Sequence, residues 1–164
     1  MFHWSARRRR ARLKETLGVT GKKVIMLNQR TAPYGVLLLR VSLGVLFLAH
    51  VALKIFVFTV PGTVGFFQSL GLPAVIAYGV MALELLGGIA LIIGFYAPYV
   101  ALPLAAEMLA TIISVHGANG WLFTNNGGGW EYPAFWAVAL LVVFLLGDGA
   151  YAIKPTSTAT NLKF

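Results

Sequence analysis

Four long apolar segments constrain the fold of this sequence more than any other feature. They span residues 35–57, 74–95, 99–116 and 132–149, and each has 18 to 23 residues. A helix of about 20 apolar residues crosses about 30 Å of hydrocarbon. A helix also pairs its backbone N–H and C=O groups with one another, which is necessary in lipid because no water is there to bond them. The sequence therefore predicts an all-α membrane protein built as a bundle of four transmembrane helices.

The composition supports a membrane location. Apolar residues make up 59% of the chain and charged residues only 11%, whereas soluble domains carry about 25% charged residues. A soluble chain of 164 residues could not bury that much apolar surface. An ordinary soluble enzyme and a disordered or fibrous chain are thus excluded. Because the chain has no cysteine, disulfides, thiol chemistry and Cys-ligated metal or haem sites are excluded as well.

The charges are concentrated at one end of the chain. Residues 1–30 hold nine Lys and Arg residues and one Glu, whereas residues 31–164 hold four residues of each sign. The connections 58–73 and 117–130 contain no Lys or Arg. Since positive residues accumulate on the cytoplasmic side of membrane proteins, both termini are predicted to be cytoplasmic. The chain divides into a basic arm (1–33), a transmembrane domain (34–153) and a short tail (154–164).

The basic arm admits three interpretations. A nucleic-acid partner is not expected, because no aromatic residues are interleaved with the basic run. A twin-arginine export signal needs an apolar segment close behind, but here that segment starts only near Tyr34. The arm is best interpreted as a retention signal that docks on anionic lipid headgroups or on a partner protein. The residues expected to dock are Arg7, Arg8, Arg9, Arg10 and Arg12.

Ionisable residues inside apolar spans usually mark a site or a structural pair. An inner group contains Arg40 with Glu107 or Glu84, and it predicts a structural ion pair between Arg40 and Glu107. Two carboxyl groups sharing one arginine are not both expected to be charged. The spare carboxyl group then relays protons, hydrogen-bonds a quinone carbonyl or bonds a backbone oxygen, and these alternatives stay open.

An outer group of ionisable residues lies beside the loop 117–130, which is rich in glycine and aromatic residues. This group contains His50, Lys54, His116 and Glu131, and the first two share a helix face because they are four residues apart. Glu107 and His116 are nine residues apart and point in roughly opposite directions unless the helix is kinked. The outer group forms either a ligand site or an interfacial network in which Lys54 pairs with Glu131. No metal site is predicted.

Two further features belong to the same side of the predicted bundle. Residues 63–70 are apolar but short, and they predict a brief amphipathic or re-entrant element. The aromatic residues near the second loop predict an interfacial belt, with the wall of a pocket as the alternative; they are Trp121, Trp130, Tyr132 and Trp136.

Several polar residues occur within the apolar segments in an order that resembles the DoxX family of four-helix membrane proteins. The segment 38–50 carries Arg40, Gly44, Phe47 and His50, and Lys54 follows it. Later stretches contribute Gly71-Leu72-Pro73, Glu84-Leu85-Leu86-Gly87-Gly88, His116 with Asn119-Gly120, Gly129-Trp130-Glu131-Tyr132 and Gly147-Asp148-Gly149. The resemblance covers about residues 34–153. The basic arm lies outside it.

The resemblance implies a role in membrane redox systems that use quinones, in a bacterial or archaeal cytoplasmic (inner) membrane. We expect an accessory subunit of a larger membrane-bound redox or electron-transfer complex that contributes a quinone or lipid site and is not catalytic alone. A stand-alone quinone-linked oxidoreductase and a small-molecule or proton transporter are the alternatives. No covalently bound cofactor is expected. The candidate ligand residues are His50, Lys54, Glu84, His116 and Glu131.

Overall fold

The computed structural model describes residues 28–156, and this part of the chain is helical with one irregular loop. The helices are α1 (Ala32–Ala52), α2 (Val60–Ser69), α3 (Ala74–Ile93), α4 (Ala97–Thr111) and α5 (Glu131–Leu146). A π-helical turn, Leu53–Val57, continues α1, and another, Ile112–His116, continues α4 into a short 3₁₀ turn, Gly117–Asn119. The end of the tail (157–164) and the five arginines predicted to dock lie outside the described residues; those arginines are Arg7, Arg8, Arg9, Arg10 and Arg12.

Each predicted apolar segment forms a helix. With their extensions, α1 covers 26 residues and α4 covers 23, and α3 has 20. These three helices are long and apolar enough to cross a membrane. The fourth helix, α5, has 16 residues because it ends at Leu146, before Gly147 with its positive φ of 91°. The all-helical membrane fold is supported, while a fourth crossing and the cytoplasmic position of the termini stay predictions.

The four long helices close into a ring. Helix α1 packs against α3, α3 against α4, α4 against α5, and α5 returns to α1. The centre is filled by large apolar side chains that are almost fully buried, including Phe47, Leu91, Leu104 and Leu140. A closed ring of this kind gives each helix one face toward its neighbours and leaves the other for lipid.

Glycine allows α1 and α3 to approach closely. A Cβ atom at Gly44 would lie 2.6 Å from the carbonyl oxygen of Gly88, and a Cβ at Gly88 would lie 3.0 Å from that of Gly44. Since real side chains cannot occupy those positions, the two helix backbones touch at this crossing. The two glycines therefore let α1 and α3 pack closely within the bundle.

The short segment between the first two spans is helix α2. It begins after Thr59, whose hydroxyl accepts a hydrogen bond from the Gly62 amide at 3.3 Å, and it ends before Gly71, which has a positive φ of 79°. This helix packs against α3 and against the π turn that ends α1. Helix α2 therefore lies beside the last turn of α1.

At the opposite end of the bundle, the chain after α5 is fastened to the turn between α3 and α4. We call this end the rim and define it by Arg40, Gly94, Asp148 and Lys154. The Lys154 amide donates to the Gly94 carbonyl at 3.2 Å, and the Tyr96 amide donates to the Lys154 carbonyl at 3.0 Å. The Ala150 amide donates to the Pro33 carbonyl at 2.9 Å. The start of α1 and the chain after α5 therefore lie at the same end.

Candidate functional site

A cavity of about 440 Å³ lies where α1 and α4 pass into their π turns. Its walls are mostly apolar and include the aromatic side chains Phe66, Phe67, Phe123, Tyr132 and Trp136. Its polar side chains come from α1, α3 and α4 with their extensions. We call these the cavity cluster: His50, Lys54, Glu84, Glu107 and His116. Four of the five candidate ligand residues therefore line one cavity.

Lys54 and Glu84 form an ion pair in this cavity. The Lys54 Nζ atom lies 2.6 Å from Glu84 Oε1, and the two side chains are 19% and 2% exposed. We predicted Glu84 for the inner group and Lys54 for the outer group, so the structure joins two residues that the sequence analysis had separated. The lysine stem lets the ammonium group reach inward from its position near the end of α1. Lys54 does not pair with Glu131.

Glu107 lies beside this ion pair and not beside Arg40. It lines the same cavity as Lys54 and Glu84, close enough for the charges of both to act on it. Glu84 is 1% exposed and Glu107 is 9% exposed. Two buried carboxyl groups thus share one ammonium group, and two neighbouring carboxylates are not both expected to be charged in a region of low dielectric constant.

The predicted ion pair between Arg40 and Glu107 is wrong. Arg40 is completely buried, and its Nη1 atom donates to the carbonyl oxygens of Leu91 and Ile92, at 2.6 Å each. Its Nη2 atom donates to the Ala150 carbonyl at 2.8 Å. The planar guanidinium group carries several donors in a fixed fork, so it fastens the free carbonyls at the end of α3 to the chain after α5. Arg40 is therefore part of the rim.

The π turn that ends α1 positions Lys54. A π turn widens the helix by one residue and displaces backbone carbonyls from their usual partners. The Lys54 carbonyl accepts a hydrogen bond from the Thr63 hydroxyl at 2.9 Å, and Thr63 on α2 is only 4% exposed. Thr63 therefore holds the backbone from which the lysine extends. This role of Thr63 could not be predicted from the sequence, because an isolated threonine in an apolar segment does not reveal which backbone carbonyl its hydroxyl will bond.

The second π turn brings His116 into the same cavity as Glu107. Regular helical spacing predicts that these two side chains point apart, but the turn Ile112–His116 changes the rotation between them. The expectation that they serve different sites is thus wrong for a physical reason, the extra residue in the turn. The His116 Nδ1 atom lies 2.9 Å from the Gly128 carbonyl oxygen, which joins the end of α4 to the loop.

His50 lies against an aromatic stack. Its Nδ1 atom is 2.9 Å from the Leu46 carbonyl oxygen of its own helix, and its ring meets Trp136 edge-on at a centroid distance of 4.9 Å. Trp136 also contacts Phe47 at 5.1 Å and is only 4% exposed. Trp136 is therefore a wall of the cavity and not part of an interfacial belt, because it faces α1 instead of the bundle surface.

Glu131 does not line the cavity, although we predicted it as a ligand residue. Its Oε1 atom accepts a hydrogen bond from the Phe123 amide at 2.7 Å, and Phe123 is a wall residue. The loop is further held by the Asn119 side-chain amide, which donates to the Gly127 and Gly128 carbonyls at 3.0 and 2.9 Å. In this geometry Glu131 shapes the wall without facing the cavity.

The cavity can bind a small, largely apolar molecule with a polar head. Ligand pockets commonly measure about 300–1,000 Å³ and combine apolar walls with a few polar groups. Here the polar groups are an ammonium, two carboxyl groups and two imidazoles, which can donate, accept and exchange protons. The Oε2 atoms of Glu84 and Glu107 are buried without a hydrogen-bond donor from the described chain. They are therefore acceptors that the described residues do not occupy.

Comparison with known proteins identifies the family of this chain. The DoxX family model matches residues 35–117, a range that contains the whole cavity cluster. The chain is 38% identical over 81 residues to putative oxidoreductase CatD of Bacillus subtilis (strain 168). That match covers 49% of this chain and 59% of the relative, so the chain spans less than two thirds of that protein's length. No solved structure matches the chain. This protein, an integral membrane protein with long apolar helices, belongs to the DoxX family.

Proposed function

We propose that this protein is an accessory subunit of a larger membrane-bound redox complex and that its cavity binds a quinone. The observation that carries the proposal is the cavity cluster itself, a buried Lys54–Glu84–Glu107 group at the end of an apolar cavity of about 440 Å³. A quinone has an apolar ring and tail and two polar oxygens, which suits a cavity of this size and lining. The oxidoreductase name of the relative supports redox chemistry.

The residues present fit such a ligand. The Lys54 ammonium group has three N–H groups, and one of them bonds Glu84 Oε1, so others remain for a ligand oxygen. The two histidines and Glu107 offer sites that can take up or release a proton near that oxygen. When bound, a quinone supplies the electron-carrying chemistry that ordinary side chains lack. The chain's own residues bind and orient the ring, exclude water and hold protons.

The proposed topology has four membrane spans and both termini in the cytoplasm. The start of α1 and the chain after α5 are at one end, and in the sequence α1 follows directly on the nine cations of residues 1–30. The connections 58–73 and 117–130, which lie at the cavity end, carry no Lys or Arg. Because positive residues favour the cytoplasmic side, this charge distribution supports a position of the cavity near the outer leaflet. The short α5 spans by local thinning of the bilayer.

Quinone binding is tested on the purified protein in detergent with decylubiquinone as the probe. Lys54→Met removes the ammonium group that is expected to bond the quinone, and the loss of one charged hydrogen bond weakens binding by about tenfold or more. Lys154→Met is the matched control, because it makes the same change at the rim. Unchanged affinity in Lys54→Met, or an equal loss in Lys154→Met, would overturn the assignment of the site.

Membership in a complex is tested by native purification from membranes in mild detergent. The expected result is a large assembly whose other subunits carry visible chromophores, identified by mass spectrometry of the same peak. A variant that lacks residues 2–27 but keeps Asn28, whose carbonyl accepts bonds from the first turn of α1, should separate from that assembly. A colourless assembly of this chain alone would contradict the accessory role.

The second candidate is a stand-alone quinone-linked oxidoreductase, and the oxidoreductase name of the Bacillus subtilis relative favours it. It differs from the first candidate in one measurable respect. The purified protein alone would change the redox state of decylubiquinone when an electron donor is added. The accessory role predicts no turnover until the partner subunits are present, and turnover by the isolated chain would favour this second candidate.

A further inference from the structure

Buried carboxyl oxygens give the cavity more hydrogen-bond acceptors than donors. Glu84 and Glu107 are 99% and 91% buried, and within the described chain the Oε2 atom of each lacks a donor. A proton held between the two carboxyl groups would supply one bond only, while each carboxylate oxygen accepts two. Acceptor positions therefore remain unfilled on both residues.

The two histidines add acceptors as well. His50 Nδ1 and His116 Nδ1 each lie 2.9 Å from a backbone carbonyl oxygen. A carbonyl oxygen can only accept, so each Nδ1 atom must carry the proton and donate it. In a neutral imidazole the other nitrogen, Nε2, then has no proton and is an acceptor. The backbone thus fixes both rings in the same tautomer.

The hydroxyl groups along the wall do not restore the balance. The Thr111 hydroxyl donates to the Glu107 carbonyl at 2.9 Å, and the Ser114 hydroxyl donates to the Ala110 carbonyl at 2.8 Å. Both protons are therefore used within α4 and its extension. The side-chain donors that remain among the wall residues are the other Lys54 N–H groups, the Tyr132 hydroxyl and the Trp136 indole.

We propose that the cavity prefers the reduced, hydroxyl-bearing form of its ligand, a hydroquinone, over the oxidised quinone. This inference rests on the proposed quinone site. The oxygens of an oxidised quinone can only accept hydrogen bonds, so they would leave the buried oxygens of Glu84 and Glu107 without donors, which is costly. The two hydroxyl groups of a hydroquinone donate to a carboxylate or an imidazole and still accept from Lys54.

The preference is measured by equilibrium binding of decylubiquinol and decylubiquinone to the purified full-length protein under anaerobic conditions. We expect the quinol to bind about tenfold more tightly, the effect of one additional charged hydrogen bond. Glu107→Gln replaces an acceptor with an amide that also donates, and it should narrow the preference to about threefold or less. Asp148→Asn makes the same type of change at the rim. The folded fraction of this variant should keep the full preference for decylubiquinol over decylubiquinone.

The outcomes separate this inference from the proposed function. Equal affinity, or tighter binding of the quinone, would overturn the preference and leave the quinone site in place. Failure of both forms to bind would overturn the site itself. Because the comparison on the unaltered protein needs no variant, poor folding of Glu107→Gln would not prevent a decision. A hydroquinone without an alkyl tail distinguishes a ligand that comes from the membrane from one that comes from solution. If it binds as tightly as decylubiquinol, the natural ligand is a soluble hydroxylated aromatic molecule of the same chemistry.

Discussion

The two ends of the bundle each bury a cation and a carboxyl group but use them differently. At the rim, Arg40 donates to three backbone carbonyls. Both carboxylate oxygens of Asp148 accept there too, from the Ala97 amide, the Thr156 amide and the Thr156 hydroxyl. At the cavity, Lys54 makes one bond, to Glu84, and Glu107 Oε2 has no donor. The Nη atoms of Arg40 and both oxygens of Asp148 are thus bonded to the chain, although the buried Arg40 Nε lacks an acceptor in the described residues. The cavity differs in that both of its carboxyl groups keep an open acceptor position.

This difference separates a structural role from a ligand-binding role. Charged groups whose bonds all go to distant parts of the backbone hold helix ends and loops together, and their removal leaves backbone groups unpaired. Charged groups that retain free positions in a cavity contribute less to folding and more to recognition. Stability should therefore depend most on the rim, and ligand affinity should depend on the cavity cluster.

The largest expected loss of stability follows Arg40→Met. The substitution keeps an apolar stem but leaves three carbonyls, those of Leu91, Ile92 and Ala150, without their donor. We expect the free energy of unfolding to fall by about 3–5 kcal/mol, as when one partner of a buried charged group is removed. Thermal unfolding in detergent, followed by circular dichroism, measures the change. A loss of about 1 kcal/mol or less would show that the rim is not held by this guanidinium group.

A double-mutant cycle on Lys54 and Glu84 should give the next largest effect. Each of Lys54→Met and Glu84→Gln leaves one member of a buried pair alone and should cost about 2–4 kcal/mol, at the low end because Lys54 is partly exposed. The double variant should cost clearly less than the two single losses together, since the interaction can be lost only once. Binding of decylubiquinol should be weakened in all three variants. Additive losses would show that the pair contributes little.

The positioning role of Thr63 predicts a smaller effect on both properties. Thr63→Val keeps the shape but removes the hydroxyl group that donates to the Lys54 carbonyl, so we expect a loss of about 1–2 kcal/mol. Ligand affinity should fall by a few-fold because the π turn no longer fixes the lysine backbone. Thr63→Ser keeps the hydroxyl and serves as the control in both measurements. If valine and serine behave alike, the hydroxyl does not position Lys54.

Much of the fold could be predicted from the sequence because lipid imposes simple rules. The four apolar segments and the connection that ends at Gly71-Leu72-Pro73 follow from segment length and turn chemistry. The early end of α5 at Leu146 was not predicted, because mostly apolar residues continue past Gly147. The cavity cluster was assembled in part from the same reasoning, because ionisable residues in apolar helices mark sites. His50, Lys54, Glu84 and His116 were all found in this way.

The pairing of the charged residues could not be predicted, and three physical reasons explain the errors. Depth along a straight helix ignores the length of a lysine side chain, so Lys54 was assigned away from Glu84. Regular spacing also ignores π turns, which carry no clear sequence signal and rotate everything after them. Backbone carbonyls are invisible to a search for charged partners, although they are what Arg40 and Thr63 actually bond.

The smallest expected effect concerns Glu131, and it tests whether the wall of the cavity can be separated from its polar cluster. Glu131→Ala removes the acceptor of the Phe123 amide and should lower the free energy of unfolding by about 0.5–1.5 kcal/mol. If about half of that energy is also lost from ligand binding, the affinity for decylubiquinol falls about two- to threefold. Glu131→Gln keeps a carbonyl oxygen in the same place and should behave like the unaltered protein, because only an acceptor is needed. A loss of affinity in Glu131→Gln as large as that of Lys54→Met would mean that the charge of Glu131 acts on the ligand. The loop would then belong with the cavity cluster.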